Sequence, residues 1–311
     1  MSGVELLSDM ENSLKKFGFT VSEHCGIRQS CFDFAARKKK FLFLIKSFGN
    51  FGTISSDCAS ELHMISSKLS ATPLFIGMST PKNPIEDDAA YMRHGICAIT
   101  LKTLINAIVH GEHPLVEAGP GGFYVQLDQK VMRKRRRRLG LSLGDLALMV
   151  GVSRRTVYGY EQGLAKATVS AALKLEAVLG IPIVRNIDIL THRKHKHFVM
   201  PKQLLENQFL RMVLKKLDDL GVSMAVTKRA PFDFIAWDDE GNRVIGGAFK
   251  REESMAPHRI RVTHSVAKVA KAHSIFIVEE KGMVEGPLTI HWRELDRFRA
   301  LRDLIGSYCY R

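Results

Sequence analysis

The chain has 311 residues, of which 45% are hydrophobic; that is enough to bury two or three cores and too apolar for a disordered or low-complexity protein. Its formal charge of +14 and pI near 9.6 favour a polyanionic partner. No apolar run approaches the length of a bilayer span, the first residues carry Glu5, Asp9 and Glu11 in place of a basic start, and Cys25, Cys31, Cys58, Cys97 and Cys309 include no Cys-x-x-Cys pair, so the expectation is a cytoplasmic protein in a reducing compartment, with no membrane partner and no structural zinc.

Leu6, Leu7, Met10, Leu14 and Phe17 recur with the period of one helix face, and Gly18 is placed to stop that helix. Strand-like segments follow at Phe19–Val21, Phe32–Ala36 and Lys40–Lys46, then a helix over Ser56–Leu69 and an apolar strand over Pro73–Met78. Ser79–Asp88 reads as a surface loop, Gly95–Ile99 as a short strand and Leu101–Val109 as a helix. The Gly- and Pro-containing stretch from His110 to Gly122 reads as a boundary or a short β element. Residues 1–125 are therefore expected to form an α/β domain.

Residues 126–190 read as an all-α domain. Leu127–Leu139 is a helix candidate carrying Arg133, Lys134, Arg135, Arg136, Arg137 and Arg138, which point in every direction around the axis. Between Lys130 and Lys166 stand ten Lys or Arg against only Asp145 and Glu161, so more than half of the excess charge sits in this short segment. Ser142 can cap a second helix with Asp145 closing a capping box, Gly151 can take the left-handed turn, and Ser153 can cap a third helix. Leu146, Met149 or Val150, Val157 and Tyr160 then face inward, while Arg154, Arg155, Thr156 and Tyr158 fall on or near the outward face. A fourth helix starts near Thr168, with Leu173, Leu175, Val178 and Leu179 as its apolar positions.

The segment Ser142–Gly163, with Leu146-Ala147, Gly151-Val-Ser153, Thr156-Val157 and Tyr160-Glu-Gln-Gly163, resembles the DNA-binding domain of the Cro and phage-repressor family. By position, the resemblance makes Arg154, Arg155 and Tyr158 base-reading residues. Thr156 could touch phosphate or thymine, or satisfy the helix locally. Where the family commonly has a polar, phosphate-touching residue at the start of the second helix, this chain has Leu143, and the basic run before Leu139 can substitute for it.

Thr191-His-Arg-Lys-His-Lys-His197 reads as a basic linker over residues 191–200; its histidines have no acid or cysteine beside them, and no metal site is assigned. Residues 201–311 read as a second α/β domain similar to the first: a helix over Pro201–Leu220, Phe232-Asp233-Phe234, a hairpin at Asp239–Asn242, a strand ending in Lys250, a helix over Arg259–Lys271, an apolar strand over Ser274–Val278 and a terminal helix. Asp33 lies 42 residues before Phe75 and Asp233 lies 43 before Phe276, which suggests a divergent internal duplication.

This pattern is similar to the restriction-endonuclease-like fold, in which an Asp on one strand and a Glu-x-Lys on the next gather a divalent metal. Asp33 and Lys46, and Asp233 and Lys250, occupy the retained positions, but Leu44 and Ala248 replace the second carboxylate; Glu252 or Glu253 could move into the second site. The fold class expected is thus α+β multidomain, a helix-turn-helix domain between two degenerate nuclease-like domains, with no catalytic residues and no cofactor.

The whole arrangement resembles a family of archaeal proteins named as helix-turn-helix transcriptional regulators. That implies a sequence-specific binder of double-stranded DNA, expected as a homodimer, with an effector of unknown identity. Two alternatives stay open on the residues alone: a metal-dependent DNA-processing nuclease, and a non-specific chromatin-like DNA binder.

Overall fold

The fold was obtained as a computed structural model, which describes residues 3–26, 30–80, 83–119, 121–191, 207–250, 255–280 and 289–306. The chain opens with α1 (Gly3–Lys16), which buries Met10 and Leu14, and β1 (Thr20–Val21). β2 (Phe34–Lys38) and β3 (Phe41–Asn50) pair antiparallel, Phe34 opposite Ile45, around a turn in which Lys39 has φ 53°. Leu42–Ile45 of β3 are all buried, so this strand is covered on both faces. α2 (Ser56–Leu69), capped by the Ser55 hydroxyl, matches the span read from sequence and leads to β4 (Thr72–Ser79), giving the order β1-β2-β3-β4.

The next stretch contains β5 (Ala89–Arg93) and β6 (Ile96–Ile99), an antiparallel pair of which only β6 has a clear sequence signal. α3 (Leu101–Ile105) continues as a π-type turn to His110, and β7 (Val116–Gly119) and β8 (Gly122–Leu127) form a hairpin. Then come α4 (Gln129–Arg138), α5 (Leu143–Val150), α6 (Arg154–Gln162), β9 (Ala167–Thr168), α7 (Val169–Leu179) and β10 (Val184–Arg185). β9 and β10 both pair antiparallel with β8. The expected all-α domain is corrected here: Val125 and Leu127 of β8 and Ile183 beside β10 share one core with Leu146, Val157, Tyr160 and Leu175, so the helices need the strands to close that core. For the same reason the break expected at residue 125 falls inside β8.

After Thr191 the linker and the start of the expected helix at Pro201 lie outside the described residues, as do Glu252, Glu253 and Cys309. The remainder is α8 (Gln208–Asp218), β11 (Ser223–Val226), β12 (Phe234–Trp237), β13 (Arg243–Phe249), α9 (Ala256–Ala270), β14 (His273–Val278), β15 (Thr289–His291) and α10 (Leu301–Gly306). The sheet runs β11-β12-β13-β14-β15, antiparallel at first, and turns parallel where α9 crosses from β13 to β14.

By compactness the chain divides into two units, one formed by Met1–Phe48 and Thr53–Phe75 with the residues after Thr191, the other by Gly49–Gly52 with Ile76–Thr191. Within the first unit the opening and closing segments meet through reciprocal contacts. The rings of Phe32 and Phe232 lie 6.3 Å apart. Arg37 donates to the carbonyls of Val269 (2.5 Å) and Ala270 (3.0 Å) at the end of α9, and Trp237 lies under the Lys68 ammonium (4.0 Å) at the end of α2. Glu61 of α2 accepts the amides of Lys228 and Arg229, and Arg261 of α9 approaches Glu23 at 3.5 Å. Phe32 and Phe232 thus meet each other, and Arg37 and Trp237 each reach the end of a helix in the other segment, a partly reciprocal arrangement inside one chain.

Phe32→Leu and Phe232→Leu are each expected to lower stability by about 1–2 kcal/mol. The double variant should lose about 0.5–1 kcal/mol less than the sum, because the second substitution removes a contact already weakened. Urea unfolding of the three variants measures this, and strict additivity would show that the rings do not interact.

Candidate nucleic-acid interface

Local signals build α5 and α6. Ser142 Oγ accepts the Asp145 amide at 3.1 Å while the Asp145 carboxylate accepts the Ser142 amide at 2.8 Å, a complete capping box. The Ser142 hydroxyl and amide hold the Asp145 carboxyl below its ordinary range. Gly151, at φ +80°, ends α5 in the left-handed conformation that a side chain would strain. Ser153 Oγ then accepts the Thr156 amide at 3.0 Å and lies 2.8 Å from the Thr156 hydroxyl, so both hydroxyls are engaged in the cap of α6.

Val157 and Tyr160 turn inward with Leu146 and Val150, which leaves Met149 57% exposed and settles which of the two α5 positions is core. In α7 the buried positions are Ala171, Ala172, Leu175 and Leu179, whereas Leu173, expected on the apolar face, is 62% exposed. Leu143 packs half-buried against this core. On the other side of α6, Arg154, Arg155 and Tyr158 are exposed, and Gln162, one turn beyond Tyr158, extends the same face. Neither guanidinium has an ion-pair partner among the described residues.

The basic helix α4 sorts into two groups. Arg136 is buried and forms a bidentate pair with buried Glu161, Nε to Oε1 at 2.6 Å and Nη2 to Oε2 at 2.9 Å, with Nη1 donating to the Leu141 carbonyl at 2.8 Å. The Glu161 hydrogen bond holds the guanidinium even more firmly charged. Arg133 donates to the Glu161 carbonyl (2.7 Å) and Arg135 to the Leu179 carbonyl at the end of α7 (2.7 Å). These three side chains tie helices together, whereas Lys134, Arg137 and Arg138 are exposed. Sequence reading missed Glu161 as the partner of Arg136, since nothing local links positions 25 apart.

The two aspartates of the α/β segments are placed differently. Asp33 is buried; its Oδ1 accepts Lys46 Nζ at 2.7 Å and its Oδ2 accepts the Ser47 amide (2.7 Å) and hydroxyl (2.6 Å). Asp233 instead accepts Arg259 Nη2 at 2.6 Å and the Ala248 amide at 2.9 Å, so the arginine of α9 takes the place expected for Lys250. Leu44 and Ala248 are buried where a second carboxylate would be required. One carboxylate per segment, already saturated by a cation and amide donors, does not fit a divalent ion, and no cluster of three His, Cys, Asp or Glu among the described residues is placed to hold one.

A family model described as a PD-(D/E)XK superfamily domain matches residues 4–114, and one described as helix-turn-helix matches residues 132–185. Relatives named "Putative HTH-type transcriptional regulatory protein" match nearly end to end. The one from Methanocella arvoryzae is 35% identical over 311 residues, 98% of this chain and 95% of its own. One from Methanococcus maripaludis is 33% identical over 289 residues (89% and 88%), and one from Methanosarcina acetivorans 31% over 312 (96% and 94%). No solved structure matches. No helix among the described residues is long and apolar enough to cross a membrane.

Removing one half of the buried pair tests its role. Arg136→Met leaves Glu161 charged and unpartnered and is expected to cost about 3–5 kcal/mol, while the Arg136→Met/Glu161→Leu double variant recovers most of the loss. Urea midpoints report both, and a single variant within about 1 kcal/mol of wild type would contradict the assigned burial.

Proposed function

Because the chain belongs to the archaeal family of HTH-type transcriptional regulatory proteins, we propose that it is a sequence-specific binder of double-stranded DNA that regulates transcription, with α6 entering the major groove. The observation that carries this reading is the exposed trio Arg154, Arg155 and Tyr158, with no ion-pair partner for either arginine among the described residues, on the first turns of a helix whose amino-terminal cap is complete. Arginine can hold guanine O6 and N7 bidentately, and its rigid fork loses little freedom in doing so. Lys134, Arg137 and Arg138 add contacts to phosphate, while Arg133, Arg135 and Arg136 act by holding α6 and α7 in place. With one reading helix per chain, pairing of two half-sites calls for a homodimer.

The α/β segments are, in this reading, two divergent copies of one nuclease-like fold whose Asp33 and Asp233 now serve as ion-pair anchors. The superfamily match over residues 4–114 keeps nuclease activity as the second reading.

Selection of bound duplexes from a random pool at fixed salt is expected to enrich one sequence class. Arg154→Ala or Arg155→Ala should cost about 1–3 kcal/mol of preference for it; enrichment of nothing would defeat the regulatory reading. Supercoiled and branched DNA should stay intact with magnesium or manganese, and cleavage abolished by Asp33→Ala would establish the second reading instead.

A further inference from the structure

A second concentration of positive charge stands in the first unit, on elements outside the helix-turn-helix segment. Residues 34–56 and 256–278 contain no Asp or Glu, yet they place Lys38, Lys39 and Lys40 at the turn from β2 to β3 and Lys268 and Lys271 at the end of α9. Arg37 ties the two together, its Nε donating to the Val269 carbonyl at 2.5 Å and its Nη2 to the Ala270 carbonyl at 3.0 Å, directly before Lys271. Lys38 ties the same turn to the end of α1, with Nζ donating to the Phe17 carbonyl at 2.7 Å, next to Lys16. Three element ends are thus drawn together by cations that satisfy carbonyls instead of carboxylates, so no charge is cancelled in the process.

Lys16, Lys39, Lys40, Lys268 and Lys271 are exposed and have no ion-pair partner among the described residues, whereas Lys15 is held by Glu11 at 2.6 Å. Lys39 and Lys40 follow Arg37 closely in the strand and turn, so the group fits a patch on the order of 20 Å across, a length over which one strand of a duplex carries about six phosphates. Like charges gathered in this way repel one another, and a polyanion spread over the three element ends relieves that repulsion. The acidic turn Asp238-Asp239-Glu240 of a second copy is a poorer match, because Asp238 is taken up by Asn242 and Glu240 by Arg302. Asp33 lies before the start of β2 and the lysines lie at its other end, so the patch is separate from the place where a nuclease of this fold would hold its substrate.

We propose that this patch is a second DNA-contacting surface, on which Lys16, Lys39, Lys40, Lys268 and Lys271 hold the sugar-phosphate backbone of double-stranded DNA outside the base pairs that α6 reads. The inference rests on the reading of the chain as a binder of double-stranded DNA and extends that contact to the α/β unit. An ammonium group meets phosphate as a point charge, so the surface adds affinity without choosing bases.

The test uses the full chain, free and bound to a duplex that carries the selected sequence and extends beyond it on both sides. Brief acetylation followed by mass spectrometry reads the reactivity of each lysine. DNA should lower the reactivity of Lys39, Lys40, Lys268 and Lys271 several-fold, together with Lys134, while the exposed Lys215 of α8 keeps its own. For Lys39→Gln/Lys40→Gln/Lys268→Gln/Lys271→Gln, the slope of log affinity against log salt should fall by about 3–4, at about 0.9 per phosphate lost, and by the same amount on a selected and a random duplex. The urea midpoint of that variant should stay at or above the wild-type value, since like charges have been removed, and the corresponding arginine variant should keep the wild-type slope. Protection of Lys134 while the four lysines stay reactive, protection that includes Lys215 equally, or an unchanged slope in the glutamine variant overturns the second surface and leaves α6 standing. Protection of the four that appears without DNA as protein concentration rises assigns the patch to a second copy and overturns it too. A chain in which neither Lys134 nor the four are protected overturns both readings.

Discussion

The buried pair of Arg136 and Glu161 is the constraint on which the helical part of the molecule depends. It joins α4 to the last turn of α6, and its low-dielectric setting makes the geometry exacting: a buried carboxylate is tolerated only with its hydrogen-bond capacity filled, which the planar guanidinium does with two parallel bonds. A lysine would supply one point charge and leave an oxygen short. Around this pair, Arg133 satisfies the Glu161 carbonyl and Arg135 the terminal carbonyl of α7, so α4 meets the open carbonyl ends of two other helices. The strongly basic helix thus organises the fold of this unit as well as its surface charge.

The strands around β8 supply the second constraint. Val125 and Leu127 complete the helical core, β9 and β10 pair with their own strand, and Lys166 reaches Glu117 of β7 at 2.5 Å. A helix-turn-helix domain on a flexible tether would leave α6 free to reorient. Here α6 shares a core with a strand of the second unit, so its direction is set by that sheet.

In the first unit the opening and closing segments meet at a face that includes Phe32 and Phe232. The two segments differ in polar chemistry. Asp33 is held by a lysine of the adjacent strand and Asp233 by an arginine of the covering helix. Lys38, Lys39 and Lys40 stand at the end of β2 and in the turn to β3, whereas Asp238, Asp239 and Glu240 stand in the turn from β12 to β13, clusters of opposite charge. Apolar contacts at the shared face restrict change there; exposed turns carry no such restriction.

Sequence by itself determined the elements whose causes are local. The caps at Ser142, Ser153 and Thr168, the left-handed turn at Gly151 and the span of α2 each follow from residues within one or two helical turns, and so does the outward direction of Arg154, Arg155 and Tyr158. Only the tertiary structure decided which members of the Arg133–Arg138 run remain free, because six consecutive cations on a helix point in every direction and their partners, Glu161 and Leu179, stand 25 and 44 residues away. The same holds for β9 and β10, two-residue strands too short to be marked by their own residues, and for the exchange of Lys250 for Arg259 beside Asp233. Periodicity and capping report what a segment does with itself; ion pairing and strand pairing depend on which distant segment desolvates it, and that is settled only when the chain has folded.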